Sequence, residues 1–189
     1  MSAPAIDADS LLAFMKKRRV CRSFTDAPVD DDLLWKIAQA GRWATSAGNR
    51  HLHKFVIVRD PAKIKLIRAM SPGMLTEPPV LIVIATDEER AASEQVQIEL
   101  DDSTWIDVGT AAMNMSLMAS AIGLGSCPVT SFSQSGVSEV LGFPQSLKPE
   151  YILILGWPKP VERFASSTAP KAITARDLTF WETPGNHER

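Results

Sequence analysis

The chain has 189 residues, of which 45% are hydrophobic and 22% are charged, a composition typical of folded globular proteins that excludes disordered and fibrous ones. Its 20 Lys and Arg residues against 22 Asp and Glu residues leave a net charge of −2, so no overall basic field indicates a nucleic-acid partner. Two cysteines are too few for a disulfide-rich secreted domain, and the first residues lack the apolar run of a signal peptide, so we expect a cytoplasmic protein.

The first half of the chain predicts three helices and one strand. Ser10 is placed to cap an amphipathic helix that ends in a basic run, and Asp30 precedes a second helix. Asp60 followed by Pro61 predicts a third helix start, because proline fits the first helical position. The apolar run of residues 55–58 predicts a buried strand before that third helix.

The second half predicts three strands around a long helix. Residues 80–85 are apolar and rich in β-branched side chains, which predicts a central strand, and the run is too short to cross a membrane. Residues 105–122 carry apolar side chains at helical spacing on more than one face, which predicts a helix buried nearly all round. A short strand over 127–130, a small helix over 135–141 and a last strand over 151–155 follow.

These elements predict an α+β fold in which helices pack on a small sheet. No repeat or low-complexity tract interrupts them. Proline and glycine clusters separate the elements without isolating a self-sufficient half, so we expect a single domain over residues 1–189. We also expect a soluble protein with no membrane partner and no nucleic-acid partner.

Five cations lie within residues 16–22, where the first helix passes into an extended segment. One interpretation is a solvated helix end, because positive charge is favoured at the C-terminus of a helix. The other is a phosphate or flavin site, because arginine presents a planar fork of donors to oxyanions. In an extended chain the side chains of Arg18, Val20 and Arg22 would lie on one face.

Two glycine-containing turns can hold a polar ligand or serve only as turns. One supplies the hydroxyl of Ser46, the amide of Asn49 and the backbone N–H groups between them. In the other, Gly123 and Gly125 let the backbone approach a flat ligand, although a helix C-cap also accounts for them. Their spacing is not that of a dinucleotide-binding fingerprint.

The histidines and the second cysteine leave alternatives open. His51 and His53 would share one face of a strand. They are either polar edge residues or two ligands of a metal ion, which would need further ligands from elsewhere in the chain. Cys127 is either a buried thiol or a nucleophile, and no histidine partner for it is indicated. We therefore predict no metal site and name no catalytic side chain.

The order of these segments is more specific than any one of them. Residues 18–24, 42–49 and 55–58 resemble, in this order, the opening of the nitroreductase family of FMN-dependent oxidoreductases. Residues 123–132, which follow the long helix, are similar to the flavin-contacting strand of that family, and the Gly-Trp-Pro that ends at Pro158 is similar to the end of its last core strand. The resemblance runs from about residue 14 to residue 158.

This resemblance implies a nitroreductase-like mixed β-sheet of four to five strands surrounded by helices. It implies an intertwined homodimer with two FMN sites at its interface, for which the long helix is the expected contact. The implied activity is a ping-pong transfer of reducing equivalents from NADH or NADPH to a small organic acceptor, such as a nitroaromatic or a quinone. The alternative is a flavin-binding protein without turnover, acting as a carrier or a sensor.

By the same resemblance, several FMN contacts fall on arginines. Arg18 would meet the FMN phosphate, and Arg19 would line the same site. Val20 stands where the family has a serine and would offer its backbone N–H. Arg22 would reach the N1/O2 edge of the isoalloxazine ring, where a cation stabilises the negative charge that reduction builds. Arg176 is similar to the family's C-terminal phosphate-binding residue.

The remaining implied contacts come from the partner subunit and from the predicted strand after the long helix. Ser46 and Asn49 of one subunit would reach the ribityl and phosphate oxygens of the FMN bound by the other. Pro128 and Val129 of the strand would pack along the ring. The backbone amides of the next two residues, Thr130 and Ser131, would point to N5 and O4.

Overall fold

Six helices and four strands occupy the part of the chain that the computed structural model describes, residues 6–97, 102–160 and 173–187. The helices are α1 (Ala8–Lys17), α2 (Asp31–Arg42), α3 (Pro61–Ala69), α4 (Glu88–Ser93), α5 (Ser103–Ala121) and α6 (Gln134–Leu141). The strands are β1 (His53–Val58), β2 (Val80–Asp87), β3 (Gly125–Val129) and β4 (Leu147–Gly156). Every predicted element is present, and α4 lies in an acidic stretch for which the sequence predicts none.

The helix starts follow from side chains that accept hydrogen bonds in the first turn. At the start of α3, the Asp60 carboxylate accepts a hydrogen bond from the amide of Ala62 at 2.9 Å, and Pro61 takes the first helical position as predicted. The predicted cap of α1 is wrong: the cap is Asp7, whose carboxylate accepts from the amide of Ser10 at 2.8 Å. A carboxylate at this end is also favoured by the helix dipole, so the helix begins before Ser10.

The four strands form one sheet in the order β1-β2-β4-β3. All three ladders are antiparallel, and the β2–β4 ladder contains a bulge between Ile84 and Ala85. Among the described residues, parallel pairing is limited to an isolated bridge between Val20 and Ser126 of β3. The predicted α+β class, with helices packed on a small four-stranded sheet, is confirmed.

The sheet separates two apolar clusters because successive side chains of a strand point to opposite faces. Ile82 and Ile84 of β2 lie in the first cluster, against α2 and α5, while Leu81 and Val83 lie in the second, against α3 and α6. All four side chains are completely buried. The central strand is thus covered on both faces, as its continuous apolar run indicates.

Helix α5 is buried along one side only. Met115 and Ala119 are fully buried in the first cluster, whereas Trp105, Ile106 and Met113 are 50%, 64% and 51% exposed. The prediction of a helix buried nearly all round is therefore not met within a single chain. Large exposed apolar side chains on a long helix are typical of a surface that contacts another molecule.

Two units divide the chain, Met1–Lys159 and Pro160–Arg189. All the helices and strands named above belong to the first unit. In the described part of the second, a 3₁₀ turn spans Arg176–Leu178, and the amide of Trp181 donates to the carbonyl of Asn186 at 2.7 Å. None of the described helices combines the length and the apolar character needed to cross a bilayer.

We expect Gly125→Ala to destabilise the protein, because the added Cβ would lie 2.6 Å from both Cβ and Sγ of Cys21. Overpacking of this kind costs about 1–3 kcal/mol in the free energy of unfolding, which urea denaturation measures. Gly109→Ala is the matched control, since no heavy atom apart from the surrounding backbone of its own helix and its chain neighbours lies within 4 Å of its added Cβ. That helical position should become more stable by about 0.5–1 kcal/mol. Equal stability of the two variants would contradict the close contact at Gly125.

Candidate functional site

Residues 18–22, called the arginine segment below, follow α1 and run beside β3. Val20 forms the parallel bridge with Ser126, and the amide of Cys21 donates to the carbonyl of Ser126 at 2.9 Å. The missing side chain of Gly125 leaves room for Cys21 at this contact. The arginines are thereby held along the edge of the sheet.

The three arginines of this segment have different surroundings. Arg19 is exposed and donates hydrogen bonds from its guanidinium to the carbonyls of Lys16 and Arg18, at the end of α1, where carbonyls have no partner within the helix. Arg18 is half-buried and Arg22 is exposed, next to the Cys127 thiol. Within the described ranges neither Arg18 nor Arg22 forms an ion pair with a carboxylate. These two cations are available to an anionic ligand.

The end of β3 presents two free backbone donors. Pro128, Thr130 and Ser131 are exposed, whereas Val129 is 1% exposed and belongs to the second cluster. Val129 therefore offers a ligand its backbone rather than its side chain. In the part of the chain that is described, the amides of Thr130 and Ser131 donate to no acceptor. The carbonyl of Ser131 accepts from the amide of Gly73 at 3.1 Å, which holds this turn in place.

A pocket of about 390 Å³ lies between the N-terminal half of α5 and the ends of β3 and β4. Thr130 lines it together with aromatic side chains and one buried carboxyl group, Glu150. Sequence reasoning did not single out Glu150, because a lone glutamate before an apolar strand gives no local signal. Its position depends on the bulge in the β2–β4 ladder, which is a property of strand pairing.

The predicted loop residues Ser46 and Asn49 lie on a turn whose conformation is held by internal hydrogen bonds. The Ser46 hydroxyl accepts from the amide of His51 at 2.8 Å, and the Asn49 side-chain oxygen lies 2.9 Å from Nε2 of His51. Asn49 and His51 both have positive φ, 55° and 50°, a conformation that non-glycine residues rarely adopt. The Asp107 carboxylate on α5 accepts from the amide of Ala47 at 3.1 Å and anchors the turn.

Helix α5 separates this turn from the pocket. Trp105 and Gly109 line the pocket, whereas Asp107 and Thr110 contact the turn, Thr110 by donating to the carbonyl of Thr45 at 3.2 Å. At about 100° of rotation per residue, these two pairs lie on opposite faces of the helix. The structure therefore holds the arginine segment against Ser126 and Cys127, which directly precede residues 128–131, and it sets Ser46 and Asn49 apart from the pocket.

The side chains of His53 and Cys127 are buried rather than poised for chemistry. His53 is 8% exposed, and its Nδ1 has no hydrogen-bond partner among the described residues. Burial, reinforced by the neighbouring His51, lowers the pKa of His53, while Asp107 acts in the opposite direction. Burial raises the pKa of the Cys127 thiol against the influence of Arg22, which disfavours the thiolate that a nucleophile needs. Of the two interpretations of Cys127, the buried thiol is the one observed.

The donor set fits the predicted FMN. Arg18 and Arg22 supply cations without carboxylate partners, and Thr130 and Ser131 supply amides without acceptors. A flat anion that carries acceptor atoms along one edge needs both kinds of group. Arg176 opens the 3₁₀ turn of the second unit, and its contact with the phosphate stays a prediction.

Comparison with known proteins identifies the family of the chain. The family model described as the nitroreductase family matches residues 15–75 and 67–157. An NADH dehydrogenase of Thermus thermophilus is 27% identical over 184 residues, covering 82% of this chain and 88% of that protein. A candidate NADH dehydrogenase/NAD(P)H nitroreductase of Archaeoglobus fulgidus is 27% identical over 163 residues, covering 82% of this chain and 90% of that protein. The solved structure of an FMN-dependent nitroreductase from Clostridium difficile R20291 is 25% identical, covers 82% of this chain and 92% of that one, and superposes with a TM-score of 0.68.

We expect the buried His53 to make the protein less stable in acid. Its folded pKa lies below the ordinary value of 6.5, so the unfolded chain takes up a proton first as the pH falls through that value. The free energy of unfolding should therefore decrease below about pH 6.5, by at most about 1.4 kcal/mol per pH unit from this group. Urea titrations between pH 5 and pH 8 should give a shallower dependence for His53→Gln. An identical dependence in both proteins would contradict the assignment.

Proposed function

Because the chain belongs to the nitroreductase family of oxidoreductases, we propose that it is an FMN-dependent enzyme that transfers reducing equivalents from NAD(P)H to a small organic acceptor. The observation that carries the proposal is the pairing of two arginines without carboxylate partners with two free backbone amides at the end of β3. The names of the relatives, which mention NADH, NAD(P)H and FMN, support the same donor and cofactor. A nitroaromatic or a quinone is the proposed acceptor class.

The residues of the arginine segment and of the turn after β3 would hold and orient the cofactor. When bound, FMN supplies the redox chemistry, and donor and acceptor use it in turn in a ping-pong cycle. Arg18 would neutralise the phosphate, and Arg22 would stabilise the negative charge at the N1/O2 edge. The amides of Thr130 and Ser131 would donate to N5 and O4, while Pro128 would support the ring.

We place the enzyme in a homodimer because one chain cannot direct all the proposed contacts to one site. Ser46 and Asn49 lie on the face of α5 opposite the pocket, so they would serve the FMN of a second copy. The exposed apolar side chains of Trp105, Ile106 and Met113 provide a surface for that contact. Both cysteines are free thiols, in keeping with the proposed cytoplasmic location.

The proposal is tested by the absorbance spectrum of the purified protein during anaerobic addition of NADH and then NADPH. We expect flavin bands that bleach with one or both nucleotides and return when menadione or a nitroarene is added. Flavin bands that persist with both nucleotides would favour the carrier or sensor without turnover. Absence of flavin even after reconstitution with FMN would refute the proposal.

Arg22→Ala should weaken FMN binding, because the variant removes a cation from the edge that becomes negative on reduction. Hydrogen bonds to charged groups contribute about 1.5–3 kcal/mol, so the Kd should rise by roughly 10-fold to 100-fold. Fluorescence titration of the apoprotein with FMN measures this Kd. Arg68→Ala is the matched control, since Arg68 is exposed on α3 and pairs with Glu77 instead. Equal Kd values for the two variants would show that Arg22 does not contribute to FMN binding.

Mixing two defective variants tests whether Ser46 and Asn49 act across the dimer. Arg22→Ala and Asn49→Ala would each bind FMN weakly as homodimers. In a mixed dimer, one site carries both substitutions and the other carries neither. After random subunit exchange, roughly a quarter of the sites should therefore regain wild-type affinity. Recovery is measured by fluorescence titration, and its absence despite exchange, verified by mass spectrometry, would mean that both residues serve their own chain.

A further inference from the structure

One side of α5 holds the end of α2 and the turn that follows it. Asp107, Thr110 and Asn114 follow one another at intervals of three and four residues, so they lie on the same side of the helix. Both oxygens of the Asp107 carboxylate lie 3.1 Å from the amide of Ala47 in the turn. The side-chain amide of Asn114 donates to the carbonyl of Ala40 at 3.2 Å, close to the end of α2. Side chains of α5 thus satisfy backbone groups that the turn and the helix end leave without backbone partners.

Thr110 supports the same turn through its hydroxyl group. The hydroxyl oxygen lies 3.2 Å from the carbonyl of Thr45 and 2.9 Å from the carbonyl of Asp107, so one proton is shared between the turn and the helix. Asp107 is only 8% exposed, so water has little access to replace its contact with the turn. The position of the turn therefore depends on these two side chains.

The backbone of the turn has a conformation that needs such an anchor. Gly48, Asn49 and His51 have φ values of 59°, 55° and 50°, in the left-handed region. Non-glycine residues keep this conformation only where their surroundings enforce it. The hydrogen bond from the amide of Ala47 to Asp107 supplies a fixed point directly before this segment.

The turn uses its side-chain acceptors internally and leaves its side-chain donors free. The Ser46 hydroxyl oxygen accepts from the amide of His51, and the side-chain oxygen of Asn49, which can only accept, lies 2.9 Å from Nε2 of His51. Within the described ranges, the Ser46 hydroxyl proton and the Asn49 side-chain nitrogen donate to no acceptor. Two such donors suit an oxygen-rich anion, which the ribityl and phosphate groups of FMN form.

We propose that Asp107, assisted by Thr110, is a positioning residue for FMN. It holds the turn so that Ser46 and Asn49 direct their free donors to the cofactor bound by a second copy, and it does not contact the cofactor itself. The inference rests on the proposed function, since it requires FMN as the ligand of the turn. Replacement of Asp107 releases the amide of Ala47, and the left-handed residues that follow no longer align the two donors.

The test is fluorescence titration of the apoprotein with FMN. Asp107→Ala should raise the Kd by roughly 10-fold to 100-fold, because the turn loses a hydrogen bond to a charged group, and Asp107→Asn, which keeps an acceptor oxygen, should lose less affinity. Thr110→Val should raise the Kd by about twofold to tenfold. Thr104→Val is the matched control on the same helix, because the buried hydroxyl of Thr104 has no partner among the described residues. Its Kd should equal that of the wild-type protein.

A second background separates positioning of the donors from a general structural role. In protein that already carries Ser46→Ala and Asn49→Ala, the turn has no donors left to align, so Asp107→Ala should change the Kd by less than about twofold. A structural role elsewhere would raise the Kd by the same factor in both backgrounds. Thr110→Val takes the place of Asp107→Ala in this comparison if Asp107→Ala does not fold.

Subunit mixing shows which FMN site the anchored turn serves. In a mixed dimer of Asp107→Ala and Arg22→Ala, one site combines an intact Arg22 with an intact turn from the partner. Roughly a quarter of all sites should therefore regain wild-type affinity after random exchange. In a mixture of Asp107→Ala and Asn49→Ala, every site receives a defective turn, so no site should recover.

The proposal is overturned if Asp107→Ala binds FMN as tightly as the wild-type protein, or if its effect persists without the donors of Ser46 and Asn49. It is also overturned if exchange with Arg22→Ala restores no sites. The Kd of Arg22→Ala distinguishes these failures from that of the proposed function. Protein that binds FMN and loses affinity with Arg22→Ala but not with Asp107→Ala retains the proposed function and loses the role of Asp107. Wild-type protein that binds no FMN even after reconstitution overturns both.

Discussion

The close approach of Cys21 to Gly125 determines where the candidate site lies. Because Gly125 has no Cβ, the extended backbone after α1 can lie against the edge of β3 and form the bridge between Val20 and Ser126. That contact puts Arg22 next to Cys127. The apolar core also fixes the position of β3, since Cys127 and Val129 are buried in the second cluster. The arginine segment lies along the strand that leads to the free amides because Gly125 lacks a side chain.

Helix α5 gives the molecule its second constraint. One of its faces closes the pocket beside Thr130, and the opposite face holds the turn that carries Ser46 and Asn49 through Asp107. A third set of residues, which includes Ile106 and Met113, is apolar and exposed. Because α5 holds the pocket on one face and the turn on the opposite face, its arrangement is consistent with a site completed by a second copy. The same arrangement explains why the proposed FMN contacts come from two distant parts of the sequence.

Local signals were sufficient for most of the fold. The Asp60-Pro61 pair marks the start of α3 because capping depends on neighbouring residues. The continuous apolar run of residues 80–85 marks β2 because a strand covered on both faces needs apolar side chains at every position. The predicted cap of α1 was wrong because two acceptors, Asp7 and Ser10, compete three residues apart and the carboxylate is favoured.

Features that depend on distant partners could not be predicted. The direction of Glu150 follows from the bulge between β2 and β4, and the anchoring of the turn follows from Asp107, sixty residues beyond it. The guanidinium of Arg19 is occupied by carbonyls at the end of α1, a use that the family resemblance does not indicate. The family resemblance predicts FMN as the cofactor, and the structure supplies donors that fit this prediction.

The most direct test of this account is hydrogen exchange of individual backbone amides, measured by NMR before and after reconstitution of the protein with FMN. We expect the amides of Thr130 and Ser131, which have no acceptor within the described residues, to exchange more slowly once FMN is bound. FMN that binds with full occupancy while both amides exchange at unchanged rates, and while protection arises elsewhere, would contradict the site proposed at the end of β3.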